Sequence, residues 1–103
     1  MVVGAQTAPA DRVLQPPRKD LVAVHLPDLS TLEDGVREQL TAEQNSLAAA
    51  LKNPAISNAG LSEAYGKLGQ VYHAYSQTAP ARECYLNATT LAPNDFRWIY
   101  LTA

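Results

Sequence analysis

The 103-residue sequence has a single cysteine, Cys84, together with one tryptophan, one phenylalanine and one methionine. A lone cysteine excludes an intrachain disulfide and leaves the redox compartment open. No stretch approaches the roughly eighteen apolar residues that a bilayer-spanning helix needs, so no membrane span is expected. A basic surplus is also missing. Eight Lys and Arg stand against ten Asp and Glu, a formal charge of -2, which is too little positive charge to neutralise nucleic-acid phosphates or anionic lipid heads. The two histidines, His25 and His73, are far apart, and neither has a second His, Cys or carboxylate at ligand spacing on its own element. No metal site is expected from them. Gly60, Gly66 and Gly69 fall in or at the start of a helical stretch rather than after a strand, which excludes a phosphate-cradling loop on context. Cys84 reads as a partly buried, inert thiol. With no catalytic residues and no cofactor site in view, the chain is not expected to be an enzyme.

What is present is a small helical inventory. Hydrophobic residues make up 47% and charged residues 17%, with Ala supplying much of the apolar share, and the length suits one domain or part of one. Met1-Val2-Val3-Gly4-Ala5-Gln6 reads either as the end of a secretory signal sequence, its charged and apolar regions missing, or as a plain irregular terminus. The first reading implies an extracytoplasmic (periplasmic) location and the second a cytoplasmic one. From Gln6 to Asp20 three prolines and no apolar period mark a linker, and Leu21–Leu26, closed by Pro27, reads as extended coil lacking a strand partner. Residues 1–27 are therefore expected to be an extended proline-rich tail, and residues 28–103 a helical domain.

The first helix is expected to open at Ser30, where Ser30-Thr31-Leu32-Glu33 has the form of a capping box. Leu32, Val36, Leu40, Leu47 and Leu51 then follow at helical spacing until Asn53-Pro54 stops it near Lys52. Asp28, Glu33, Asp34, Glu38 and Glu43 against Arg37 alone give it an acidic face, either a solvated surface or a dock for a basic partner. A second helix is expected from about Ala59 to Tyr75. A third runs from Ala79 to Leu91 with Thr78 as its N-cap and Pro80 tolerable in its first turn. Another helix begins at Phe96.

Tyr65, Leu68, Gly69, Tyr72, Ala81, Tyr85, Ala88 and Pro93 stand at the spacings of a helical-repeat signature, W-x2-L-G-x2-Y followed by A-x3-F, A and P, with Tyr replacing Trp and Phe. In this respect the chain resembles the tetratricopeptide repeat (TPR) family. The physics is readable without the name. Tyr65, Leu68 and Tyr72 form one apolar stripe and Ala81, Tyr85 and Ala88 another, while Gly69 and Ala81 permit close approach of two backbones. One full repeat covers residues 62–95. A partial second begins at residue 96, where Trp98 and Leu101 reproduce W-x2-L; its step from Tyr65 is one short of the usual roughly 34 residues, and Thr102 stands where Gly is expected. The segments Pro27-Asp28-Leu29-Ser30, Ala64–Gly69 and Asp95-Phe96-Arg97-Trp98 also resemble the front end of longer bacterial repeat proteins.

The resemblance implies an all-α fold, a TPR-like antiparallel helix pair with a capping helix before it, and a function in protein binding. In the family, ligands lie along the concave surface lined by the first helix of each repeat, whose exposed positions here are Glu63, Gly66, Gln70, His73 and Ala74. Glu63, Gln70 and His73 are the expected partner contacts on that face. The basic and asparagine residues that relatives use to clamp a terminal carboxylate are not at these positions. The dense apolar run from Phe96 to Leu101 adds a second candidate edge at Phe96, Trp98, Tyr100 and Leu101, with self-association as one outcome. The expected function is an interaction scaffold or small accessory subunit of a larger complex. Two alternatives stand beside it: a docking or regulatory segment of a larger enzyme or multihaem protein whose active part lies outside this chain, and a structural subunit that uses its tail as the contact.

Overall fold

Leu40 and Leu47 lie two turns apart in an Ala- and Leu-rich stretch and are both fully buried, which fixes the inner face of the first helix, α1, Asp34–Leu51. The structure, a computed structural model, describes residues 12–102; the expectation for Met1–Gln6 lies outside the described residues. α1 starts three residues later than its capping box predicts. The Ser30 N–H donates to the Asp28 carboxylate at 2.9 Å and the Leu32 N–H to the Leu29 carbonyl at 3.1 Å, so residues 28–32 form turns. Glu33 takes the N-cap position without a side-chain hydrogen bond. Leu29 and Leu32 pack on the core from these turns, an anchorage that a straight helical start does not provide. The acidic stretch is accordingly split. Asp28 and Glu33 precede the helix, Asp34 pairs with Arg37, and Glu43 is half-buried.

The second helix, α2, spans Asn58–Ala74, and the Ser57 hydroxyl caps it by accepting the Gly60 N–H at 3.0 Å. Leu61, Tyr65, Leu68 and Tyr72 are buried along one stripe. α2 ends in a Schellman turn: the Gln77 N–H donates to the Tyr72 carbonyl at 2.8 Å and the Ser76 N–H to the His73 carbonyl at 3.1 Å. Ser76 sits at φ 63, a left-handed position that usually falls to glycine. The third helix, α3, spans Thr78–Leu91. Thr78, expected as its N-cap, is instead its first residue, and Gln77 precedes it without a side-chain cap. Pro80 is buried in the first turn, where its missing N–H leaves no hydrogen bond unmade.

α2 and α3 run antiparallel. The Ser62 hydroxyl donates to the Ala88 carbonyl at 2.8 Å at one end of the pair, and Gly69 faces Tyr85 and Cys84 further along. A β-carbon on Gly69 would lie 2.7 Å from Tyr85 Cε1 and 3.1 Å from Cys84 Cβ, so the absent side chain is what admits the Tyr85 ring. α1 packs on α2 and is tied to it by two hydrogen bonds, Gln44 Nε2 to the Tyr72 hydroxyl at 2.8 Å and the Tyr75 hydroxyl to Gln39 Oε1 at 2.7 Å. After the turn at Pro93-Asn94 a short helix, α4, Phe96–Thr102, packs on α3.

The N-terminal segment is not a free tail. Val13–Leu14 (β1) pairs antiparallel with Val24–His25 (β2), so the apolar run at residues 21–26 does have a strand partner, supplied by the proline-flanked stretch read as a linker. Leu21, Val24 and Leu26 are buried, and the segment lies against α3. The buried Asn87 side chain accepts the Val22 N–H at 2.8 Å and donates to the Val22 carbonyl at 2.7 Å, while Glu83, one turn earlier, accepts the His25 N–H at 2.8 Å and meets His25 Nδ1 at 2.7 Å. Among the described residues the architecture is all-α, four helices with one short ribbon fastened across the third.

Two substitutions test this packing. Ser76→Gly relieves the left-handed strain and raises stability by about 0.5–1 kcal/mol in urea denaturation, after the flexibility that glycine adds to the unfolded chain. Gly69→Leu drives a side chain into Tyr85 and lowers stability by about 1–3 kcal/mol or more. A parent-like melt for Gly69→Leu places Gly69 outside the helix contact.

Candidate functional site

The C-terminal edge is built on the bare face of α2. Trp98, expected at the partner edge, is turned inward with 0% of its surface exposed, so the partner contact assigned to it is corrected. Its indole occupies the space over Gly66, where a β-carbon would stand 2.3 Å from the ring, and it stacks on Tyr85 with centroids 6.1 Å apart and planes 17° from parallel. Gly66 is therefore buried and is not one of the exposed concave positions. The Arg97 guanidinium lies 4.4 Å from the Trp98 ring centroid and bridges two carboxylates, Asp95 at 2.6 Å and Glu63 at 2.7 Å. The Arg97 hydrogen bonds hold the Asp95 carboxyl below its usual range. They also occupy Glu63, which is thus engaged within the chain rather than presented as a free charge.

With Trp98 inside, the other apolar residues of α4 point outward: Phe96 is 64% exposed, Tyr100 81%, Ile99 40% and Leu101 36%. Four exposed apolar side chains on one short helix give it an apolar rim. Gln70, His73 and Ala74 are exposed on α2. His73 sets its ring edge against Tyr85, centroids 6.1 Å apart and planes at 77°, and lines a shallow groove of about 280 Å³ with Thr78, Arg82, Tyr85 and Leu101. The structure thus brings His73 and Leu101 to one groove, places Phe96 and Tyr100 on the open rim, and leaves Gln70 on the surface.

Sequence reasoning missed Arg97, which fixes α4, and Asn87, which fixes the ribbon. Asn87 did carry a signal, since an Asn in mid-helix next to Ala88 of the apolar stripe gives up helix propensity without evident return. Arg97 carried none beyond its place between Asp95 and Trp98. The one thiol and two of the tyrosine hydroxyls are buried. Burial pushes the Cys84 thiol well above its ordinary range, and it pushes the Tyr65 and Tyr72 hydroxyls up to about 12. Among the described residues no three His, Cys, Asp or Glu side chains converge as a metal site would require, and no helix is long and apolar enough to cross a membrane. No family model, curated protein or solved structure matches the chain.

Because Trp98 is the only tryptophan in the protein, its fluorescence reports on this site alone. Gly66→Ala places a methyl group inside the indole's volume, and the expected outcome is a red-shifted emission with increased quenching by iodide as the ring is pushed toward water. An unshifted spectrum contradicts the placement of the ring.

Proposed function

We propose that the chain is a TPR-type interaction module, a scaffold or small accessory subunit that holds another protein. The observation that carries this reading is the outward apolar rim of Phe96, Ile99, Tyr100 and Leu101, set beside α2 by the inward Trp98. The arrangement around it agrees with the repeat resemblance. α4 packs on α3 and reaches α2 through side chains, Arg97 meeting Glu63 from 34 positions further along the chain, about the length of one repeat. The seat of Trp98 over Gly66 supports reading α4 as the first helix of a further repeat. A stack of this kind buries its faces only against a neighbouring helix, and the rim of α4 is the face without one among the described residues. Tyr100 and Phe96 are suited to anchor a partner, because aromatic residues supply large contact area at low entropic cost.

The test is retention of protein from native extract on the immobilised chain, comparing the parent with an Ile99→Glu/Tyr100→Glu double variant. Point changes on the outer face are preferable to truncation after Asn94, which also removes Trp98 from the core. The expected result is loss of retention of the specific band by roughly tenfold or more, with unchanged circular dichroism and Trp98 fluorescence. Retention that is equal in parent and variant removes this rim from the interface.

A further inference from the structure

The ribbon-bearing segment joins the helical body through residues 27–33, and this joint has two local structures available to it. In the structure, Asp28 accepts the Ser30 N–H, Leu29 and Leu32 turn inward, and α1 waits until Asp34. The residues of the other form are in place but unused. Ser30 and Glu33 have the spacing of a capping box, and Glu33 is exposed with no side-chain hydrogen bond at the N-cap. If that box closes, α1 gains Thr31, Leu32 and Glu33, lengthens by about 4.5 Å, and sends the chain before Ser30 along a new path, off its own α3.

What the segment leaves behind is a site that demands an occupant. Asn87 is 1% exposed and reads the backbone of a single residue, Val22, through both its N–H and its carbonyl; Glu83, one turn away, accepts the N–H of His25. Leu21 and Val24 fill the apolar floor. An empty groove strands a buried amide and uncovers the core, so it selects an extended segment with this apolar spacing. A second copy carries that segment by definition.

We propose that residues 12–26 are exchanged between two copies of the chain, each laying its ribbon across the other's α3 in a two-fold dimer. The contacts of residues 12–26 are reproduced between chains while those of the joint are exchanged for the capping box, so the balance is set by the joint, by association entropy and by concentration. The proposal does not depend on the α4 rim, and the test is run in the full-length Ile99→Glu/Tyr100→Glu chain so that the rim cannot supply the association.

Isotope-labelled and unlabelled chains are unfolded together and refolded at high concentration, and filtered NOEs are recorded between Val22 and the Asn87 side-chain amide, with sedimentation equilibrium giving the dimer constant. The expected result is a dimer in which the Val22–Asn87 contact crosses between chains. Asp28→Ala, which removes the turn of the closed form, raises the dimer constant. Glu33→Ala, which removes the reciprocal cap of the extended form, lowers it by roughly fivefold or more, whereas Glu33→Gln, which still completes a capping box, leaves it unchanged. A strict monomer at millimolar concentration, a dimer whose Val22–Asn87 contacts are all within one chain, or equal effects of Glu33→Ala and Glu33→Gln each overturns the proposal.

Discussion

Gly66 and Gly69 leave α2 without side chains along part of its face, and two aromatic rings stand in the space. Tyr85 from α3 fills the gap over Gly69 and Trp98 from α4 fills the gap over Gly66, stacked on each other. Neither ring could take its place over a helix carrying even alanine there, since real β-carbons do not approach ring carbons to the distances found. The orientation of α4 follows from this one absence. With Trp98 committed inward and Arg97 clamped between Asp95 and Glu63, the rest of a seven-residue helix has only one way to face, and Phe96, Ile99 and Tyr100 are carried to the surface. An exposed surface is thus specified by an interior vacancy.

The opposite flank of α3 is organised by a polar group. A buried amide left unpaired costs about 1–3 kcal/mol, and Asn87 avoids that cost only while Val22 lies alongside it. Leu21 and Val24 contribute apolar burial while Val22 between them stays exposed, and the paired N–H and carbonyl of Val22 fix which residue of the segment sits beside Asn87. Division of labour of this kind lets a stretch with two-residue strands hold a defined position without a sheet of its own. α3 therefore serves two faces, α2 and α4 through its small and aromatic residues, and the ribbon through Glu83 and Asn87.

Local signals read well where they were also the strongest forces. The apolar stripes placed α2 and α3 to within a residue or two, and the small residue at 69 marked a close approach that the structure contains. The start of α1 was misread because the capping box competes with burial of Leu29 and Leu32, and the burial lies in tertiary structure that spacing does not encode. For the same reason Trp98 looked like an exposed anchor: density of apolar residues is visible in sequence, but which one turns inward depends on the vacancy at Gly66. The extended run at residues 21–26 was legible but its partner was not, since Val13–Leu14 is too short to show a period, and Asn87 meets Val22 from 65 positions away. Of the candidate surface, Phe96, Tyr100 and Leu101 were legible from composition, whereas the engagement of Glu63 by Arg97 required the fold.

Asn87 is followed by Ala88 and Thr89, and the three residues match the acceptor pattern for asparagine-linked sugar. A transferase needs the side-chain amide free and the chain around it accessible, and here the amide is buried in a helix with both of its polar atoms committed to Val22. Folding closes the sequon. The contact that fastens the ribbon leaves the sequon's amide without a free polar atom once the chain has folded.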